Sequence, residues 1–141
     1  MTDDLERLRT RIDELGGQDA HPVVPLEVFF TGNDDMASIG PNLDPHPGVQ
    51  HFHRVLRAIR DRSDVSDVVL QVSEVLEGED EWPFVEAAYV ITSASPEDVH
   101  ELAADLHPDP PEPDATWLYD SPPPGAPPIP AGQRVVTLYW D

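Results

Sequence analysis

Histidines and carboxylates are the side chains best placed, by type and spacing, to do chemistry in this chain. His46, His51 and His53 lie within eight residues, and Asn33, Asp34, Asp35 and Asp44 crowd the stretch before them. Three imidazoles invite a zinc-like ion. In a helix, however, His51 and His53 point about 160° apart, whereas a helical metal pair sits at i,i+4. His100 and His107 are two turns apart, about 10 Å, and cannot share an ion. The oxygen donors suit calcium by their hardness, yet the alternating acids, central glycine and closing glutamate of a calcium-binding loop do not occur together. Asx turns and loop caps account for these residues more simply. No metal and no cofactor is expected. Should the chain hold a small-molecule pocket, His46, His51, Asp34 and Asp35 are the residues expected to line it.

Nucleophilic chemistry finds no better footing. The candidate serines are Ser38, Ser63, Ser66, Ser73, Ser93, Ser95 and Ser121, and none stands in G-x-S-x-G or beside a recognisable base and orienter. Lysine and cysteine are absent, which excludes Schiff-base chemistry, a phosphate-binding P-loop lysine, thiolate metal sites and disulfides. Gly32, Gly40 and Gly48 stand eight residues apart and form no nucleotide-binding fingerprint. Carboxylates are so abundant that no pair is singled out as an acid and base. No catalytic residue is assigned, and a non-enzymatic protein is expected.

Charge is the strongest signal. In 141 residues, 28 acids stand against 8 basic residues, all arginine, for a net charge of −20. Such a surface repels phosphate backbones and anionic lipid, so neither nucleic acid nor membrane is an expected partner. A basic protein would be drawn in by long-range attraction. A GC-rich genome or a high-salt cytoplasm produces the same lysine-free composition without any partner. The charge is also uneven: between residues 48 and 64, four arginines against two aspartates give +2 in an otherwise acidic or neutral chain. Glu77, Glu79, Asp80 and Glu81 run directly into Trp82, joining dense charge to a residue type that often anchors interfaces. That patch is the expected partner-binding surface; its structural alternative is a solvated hairpin tip. The other large aromatics near turns or termini are Phe84, Trp117, Tyr119, Tyr139 and Trp140, of which Phe84 and Tyr139 are expected in the core.

The elements that would position these residues follow from periodicity. Leu5, Leu8, Ile12 and Leu15 mark an amphipathic helix over 3–15, with Asp3 and Arg7, and Arg9 and Asp13, as i,i+4 pairs and Gly16-Gly17 as its stop. Val23 to Thr31 is rich in β-branched and aromatic residues and predicts a strand, with Pro25 near its start. Gly32 to Gly48 is an irregular loop. Val49, Phe52, Val55, Leu56 and Ile59 stripe a second helix whose back carries Arg54, Arg57 and Asp61. Asp67–Val75 and Phe84–Thr92 predict an antiparallel pair of strands. Ser95-Pro96-Glu97-Asp98 predicts a capped helix start, with Val99, Leu102, Ala103 and Leu106 facing inward. Most of the 17 prolines fall in 108–132, where no regular element can form, although Trp117, Leu118 and Tyr119 predict that this stretch packs. Arg134 to Trp140 is a last strand.

One domain is expected over 1–141: a helix and linker in 1–22, an α+β core in 23–107, the proline-rich segment 108–132 and a last strand in 133–141. The order strand, helix, strand, strand, helix, strand is that of a ferredoxin-like βαββαβ sheet, four antiparallel strands with both helices on one face and the first and third strands central. A central first strand sits awkwardly with Pro25. The other face carries Glu27, Gln71 and Ser73 and is expected to be solvated, or covered by the N-terminal helix, the proline-rich segment or a second subunit. No apolar run is long enough to span a membrane and no leader is evident, so a cytoplasmic location is expected.

Two stretches carry a resemblance. One is Val24-Pro25-Leu26-Glu27-Val28-Phe29-Phe30 into Gly32-Asn33-Asp34-Asp35, then Ser38-Ile39-Gly40-Pro41-Asn42-Leu43 and Pro45-His46-Pro47-Gly48. The other is Glu81-Trp82-Pro83-Phe84 and Thr92-Ser93-Ala94-Ser95-Pro96-Glu97-Asp98-Val99. Over roughly residues 23–100 they resemble small acidic proteins of GC-rich bacteria that look similar to immunity proteins against polymorphic toxins. The resemblance implies a cytoplasmic protein that neutralises a basic partner by binding, and it transfers no catalytic motif. The expected function is therefore a non-catalytic acidic protein-binding module, in its sharpest form an immunity-like inhibitor. The alternative is a ligand-sensing or enzymatic ferredoxin-like domain, homodimeric through its open sheet face.

Overall fold

Leu5, Leu8 and Ile12 recur at helical spacing and are buried along one stripe of helix α1, Asp3–Glu14, in a computed structural model that describes residues 3–76, 78, 81–110, 117–118 and 121–140. Gly17 and a 3₁₀ turn at Gln18–Ala20 lead into strand β1, Val23–Pro25. Helix α2, Leu26–Phe30, follows at once, then the loop to helix α3, Val49–Arg60. Strands β2, Val65–Glu74, and β3, Phe84–Thr92, form the long hairpin. Helix α4, Pro96–Leu102, begins where the sequence places it: Ser95 accepts the Asp98 N–H at 3.1 Å, and Pro96 opens the first turn. It ends at Leu102, and a 3₁₀ turn at Ala104–Leu106 carries the buried Leu106. Strand β4 is Arg134–Tyr139.

The α+β class, the four antiparallel strands and the N-terminal helix are as expected, but β1 and the strand order differ, Glu27 lies on α2 rather than on the open sheet face, and Leu102, expected inward, is exposed. The strand expected over Val23–Thr31 pairs only through Pro25, in the register Val23 to Gln71, Val24 to Leu70 and Pro25 to Val69. Proline has no N–H to extend a ladder. Leu26, Phe29 and Phe30, spaced i, i+3, i+4, then bury completely as one helical turn, a better use of three large side chains than a pleat that would turn alternate ones outward. The strand order is β1-β2-β3-β4, every neighbour antiparallel, so β2 and β3 are central rather than the first and third strands of the ferredoxin-like arrangement. A three-residue strand ending in proline suits an edge and not a centre.

The front of the sheet packs against α1, α2, α3 and α4. Leu5, Leu8, Phe29, Phe30, Phe52, Leu56, Val68, Leu70, Val99 and Trp140 belong to this one core. Arg54, Arg57 and Asp61 lie exposed on the back of α3, as its periodicity requires. The rear of the sheet carries a smaller cluster of Val23, Val69, Tyr89, Ile91 and Val135, against which Trp117 and Ala126 pack. Of the expected covers, the proline-rich segment is thus the one that lies there. Trp117 meets Tyr89 edge to face at 4.7 Å, and the Val23 N–H donates to the Pro124 carbonyl at 3.0 Å. Gly125 permits this close turn: its φ is +85°, and a Cβ there would meet the Val23 carbonyl at 2.8 Å.

Candidate functional site

The loop between α2 and α3 is held by its polar side chains. Asn33, buried, donates to the Phe29 carbonyl at 3.3 Å and to Ser38 Oγ at 3.1 Å, while its Oδ1 accepts the Asp35 N–H at 2.9 Å. Gln50 Nε2 donates to the Phe30 and Asn33 carbonyls at 2.8 and 2.7 Å, closing the end of α2. Asp35 spends one carboxylate oxygen on the Ala37 N–H at 3.0 Å and the other on the Trp82 N–H at 3.3 Å. These are the Asx turns that the composition implies.

His46 is committed at both ring nitrogens. Its Nδ1 accepts the Gly48 N–H at 2.9 Å, which leaves Nε2 as the protonated nitrogen that donates to the Ile39 carbonyl at 2.8 Å. His51 sits on α3 with its Nδ1 3.5 Å from Arg54, and Asp34 is exposed. Of the four residues expected to line a pocket, His46 and Asp35 are thus structural members of the loop. Among the described residues, no group of three or more histidines and acids is arranged to hold a metal ion.

The proposed partner patch divides. Glu77, Glu79 and Asp80 lie outside the described residues. Glu81 is exposed and accepts the Gly78 N–H at 3.2 Å. Trp82 is 5% exposed, edge to face with Phe29 at 6.4 Å; it packs into the core rather than standing on the surface. Arg7 pairs with Asp4 at 2.5 Å, one position along from the expected Asp3. Arg9 sends Nη2 across to the hairpin tip, donating to the carbonyls of Leu76, Gly78 and Glu81 at 3.3, 2.6 and 2.9 Å. Asp35 from one expected site and Trp82 from the other are therefore neighbours. The hairpin tip is anchored from two sides, by Arg9 and by the loop.

A titratable cluster lies between α2, α3 and β2. Arg60 donates to Glu27 at 2.9 Å, and this bond holds the Glu27 carboxyl below its ordinary range. His53 stacks on Phe30, ring centres 5.0 Å apart and nearly parallel. Burial, together with the Arg57 charge, pushes its imidazole down, whereas burial pushes Asp67 up.

Sequence periodicity did not single out the groove on the rear face, about 310 Å³, between the 3₁₀ turn, β2 and the proline segment, lined by Asp19, His21, Gln71 and Ser121 to Pro124. Gln71 is buried at its floor. It accepts from the Tyr89 hydroxyl, which in turn accepts the Leu118 N–H at 3.0 Å, and it donates to the His21 carbonyl at 2.9 Å. The positive φ of His21, 46°, aims that carbonyl. A glutamine among the apolar residues of β2 was the one available signal.

Among the described residues, no helix is long and apolar enough to cross a membrane. No solved structure matches the chain. It is 34% identical over 143 residues to "Uncharacterized protein YfbO" of Escherichia coli (strain K12), covering 97% of this chain and 98% of that protein. Neither this relative nor the matching family is described as an immunity protein. Residues 3–138 match the model described as the "Uncharacterized protein YfbO family", and the chain belongs to that bacterial family.

Proposed function

We propose that this chain is a non-catalytic acidic module that binds a basic protein. The observation that carries the reading is a net charge of −20 over a fold that employs its best-placed reactive groups as structural ties: His46 through both ring nitrogens and Asp35 through both oxygens. The acidic turn is the leading contact surface. Arg9 and Asp35 tie its described residues Gly78 and Trp82 to the rest of the fold. A cytoplasmic inhibitor of a basic toxin domain, the case named by the sequence resemblance, is the specific partner to test first.

The test is association kinetics. A partner captured on the full-length chain at low salt is purified, and its on-rate is measured from 50 to 500 mM salt. Steering by surface charge predicts a fall of about tenfold or more, because screening shortens the reach of the field from roughly 14 to 4 Å. Neutralising Glu77, Glu79, Asp80 and Glu81 together to Gln and Asn should slow association with little effect on dissociation. A salt-independent on-rate, or a demonstrated turnover of substrate, overturns the reading. The alternative, a ligand-sensing or enzymatic domain homodimeric through its open sheet face, has less support, because Trp117 and Ala126 pack against that face.

A further inference from the structure

We infer that the rear groove is a receptor for the guanidinium of an arginine side chain, presented by the basic partner; this rests on the reading of the chain as a binder of a basic protein. The wall Pro122-Pro123-Pro124 presents no N–H, because proline has none. Several nearby donors are already spent. The N–H groups of Ala20 and His21 go to Gly17 and Gln18, that of Val72 to Pro22, and the Gln71 amide to His21. Pro123 and Pro124 each accept one bond, from Ala126 and Val23, and keep a second lone pair. The Asp19 carboxylate is exposed at the rim and Ser121 lies beside the prolines.

A concavity rich in acceptors, with one carboxylate and apolar ring faces, asks for a ligand that is a planar, multiply donating, weakly hydrated cation. Guanidinium is the side chain with that chemistry: it carries five donors in a flat fork and loses less hydration than ammonium on contact with apolar rings. The net charge of the chain raises the local concentration of any such cation. The positive φ of His21 and the network through Gln71 and Tyr89 fix the floor of the groove.

The probe is N-acetyl-arginine methylamide, with the citrulline analogue as its neutral isostere, titrated into the ¹⁵N-labelled full-length chain. Saturable amide shifts are expected at Ala20, His21, Gln71 and Val72, with citrulline at least tenfold weaker. Asp19→Asn, on an exposed turn, should weaken arginine binding severalfold and leave citrulline unchanged. Equal binding of the two analogues, shifts that fail to saturate, shifts scattered over the acidic surface, or an Asp19→Asn variant with unaltered affinity each overturn the inference. If the arginine analogue fails while a purified basic partner still binds with a salt-dependent on-rate, only the groove is wrong and the broader reading stands.

Discussion

The guanidinium of Arg9 donates to the carbonyl of Gly78 at 2.6 Å, across nearly seventy residues of sequence, and so ties the N-terminal helix to the tip of the acidic hairpin. The same nitrogen also reaches Glu81 at 2.9 Å. A charged donor shared among backbone acceptors is worth more than a neutral bond, about 1.5–3 kcal/mol. Arg9→Ala should lower stability by about that amount in urea unfolding and speed amide exchange between Leu76 and Glu81. Arg9→Lys, which keeps the charge and loses the fork, should recover part of it. An unchanged midpoint in Arg9→Ala would show that the tip holds itself.

Trp82 packs into the core. Trp82→Ala should therefore cost about 3–5 kcal/mol, measured by denaturant unfolding, and Trp82→Phe much less. A loss under about 1 kcal/mol would return this side chain to the surface and to direct contact with a partner.

Acid should weaken the fold through His53. Burial and the Arg57 charge place its folded pKa below the ordinary value, with Arg60 adding to the fall and Glu27 opposing it. Between that folded value and about 6.5 the unfolded chain holds more protons, so stability rises with pH across this window and is lost on acidification. Glu27, held low by Arg60, adds stability above the ordinary carboxyl range that is lost as pH falls through its folded value. Asp67, raised by burial, acts in the opposite sense and favours the acid side. His53→Phe keeps the stack on Phe30 and removes the titration. Its stability should vary less between pH 5 and 7 than that of the parent chain, and an identical slope would exclude His53 as the cause.

One hydroxyl ties the rear cover to the sheet through two hydrogen bonds. Tyr89→Phe removes the group that donates to Gln71 and accepts from Leu118, at a cost of about 1–3 kcal/mol. Trp117 should become more mobile, with red-shifted emission, while Trp82 and Trp140 stay buried. An unshifted spectrum together with full stability would place the grip of the cover in apolar contact with the sheet alone.

Local pattern and composition were enough to determine much of this protein. The stripes of Leu5, Leu8 and Ile12 and of Val49, Phe52, Leu56 and Ile59, the Ser95 cap and the alternation along β2 each mark an element by its own period. The charge, too, is legible without a fold. Tertiary structure alone decided the rest, because it depends on which surfaces meet. Leu26, Phe29 and Phe30 have strand-like residue types, and the chance to bury all three against α3 and Trp82 made them a helix. The edge position of β1 followed from a proline that cannot complete a ladder between two neighbours. Asp35 and Trp82, Arg9 and Gly78, and His21 and Gln71 are pairs far apart in sequence. Such pairs carry no periodic signature, since a side chain meeting a distant backbone group leaves no mark on the spacing of its neighbours.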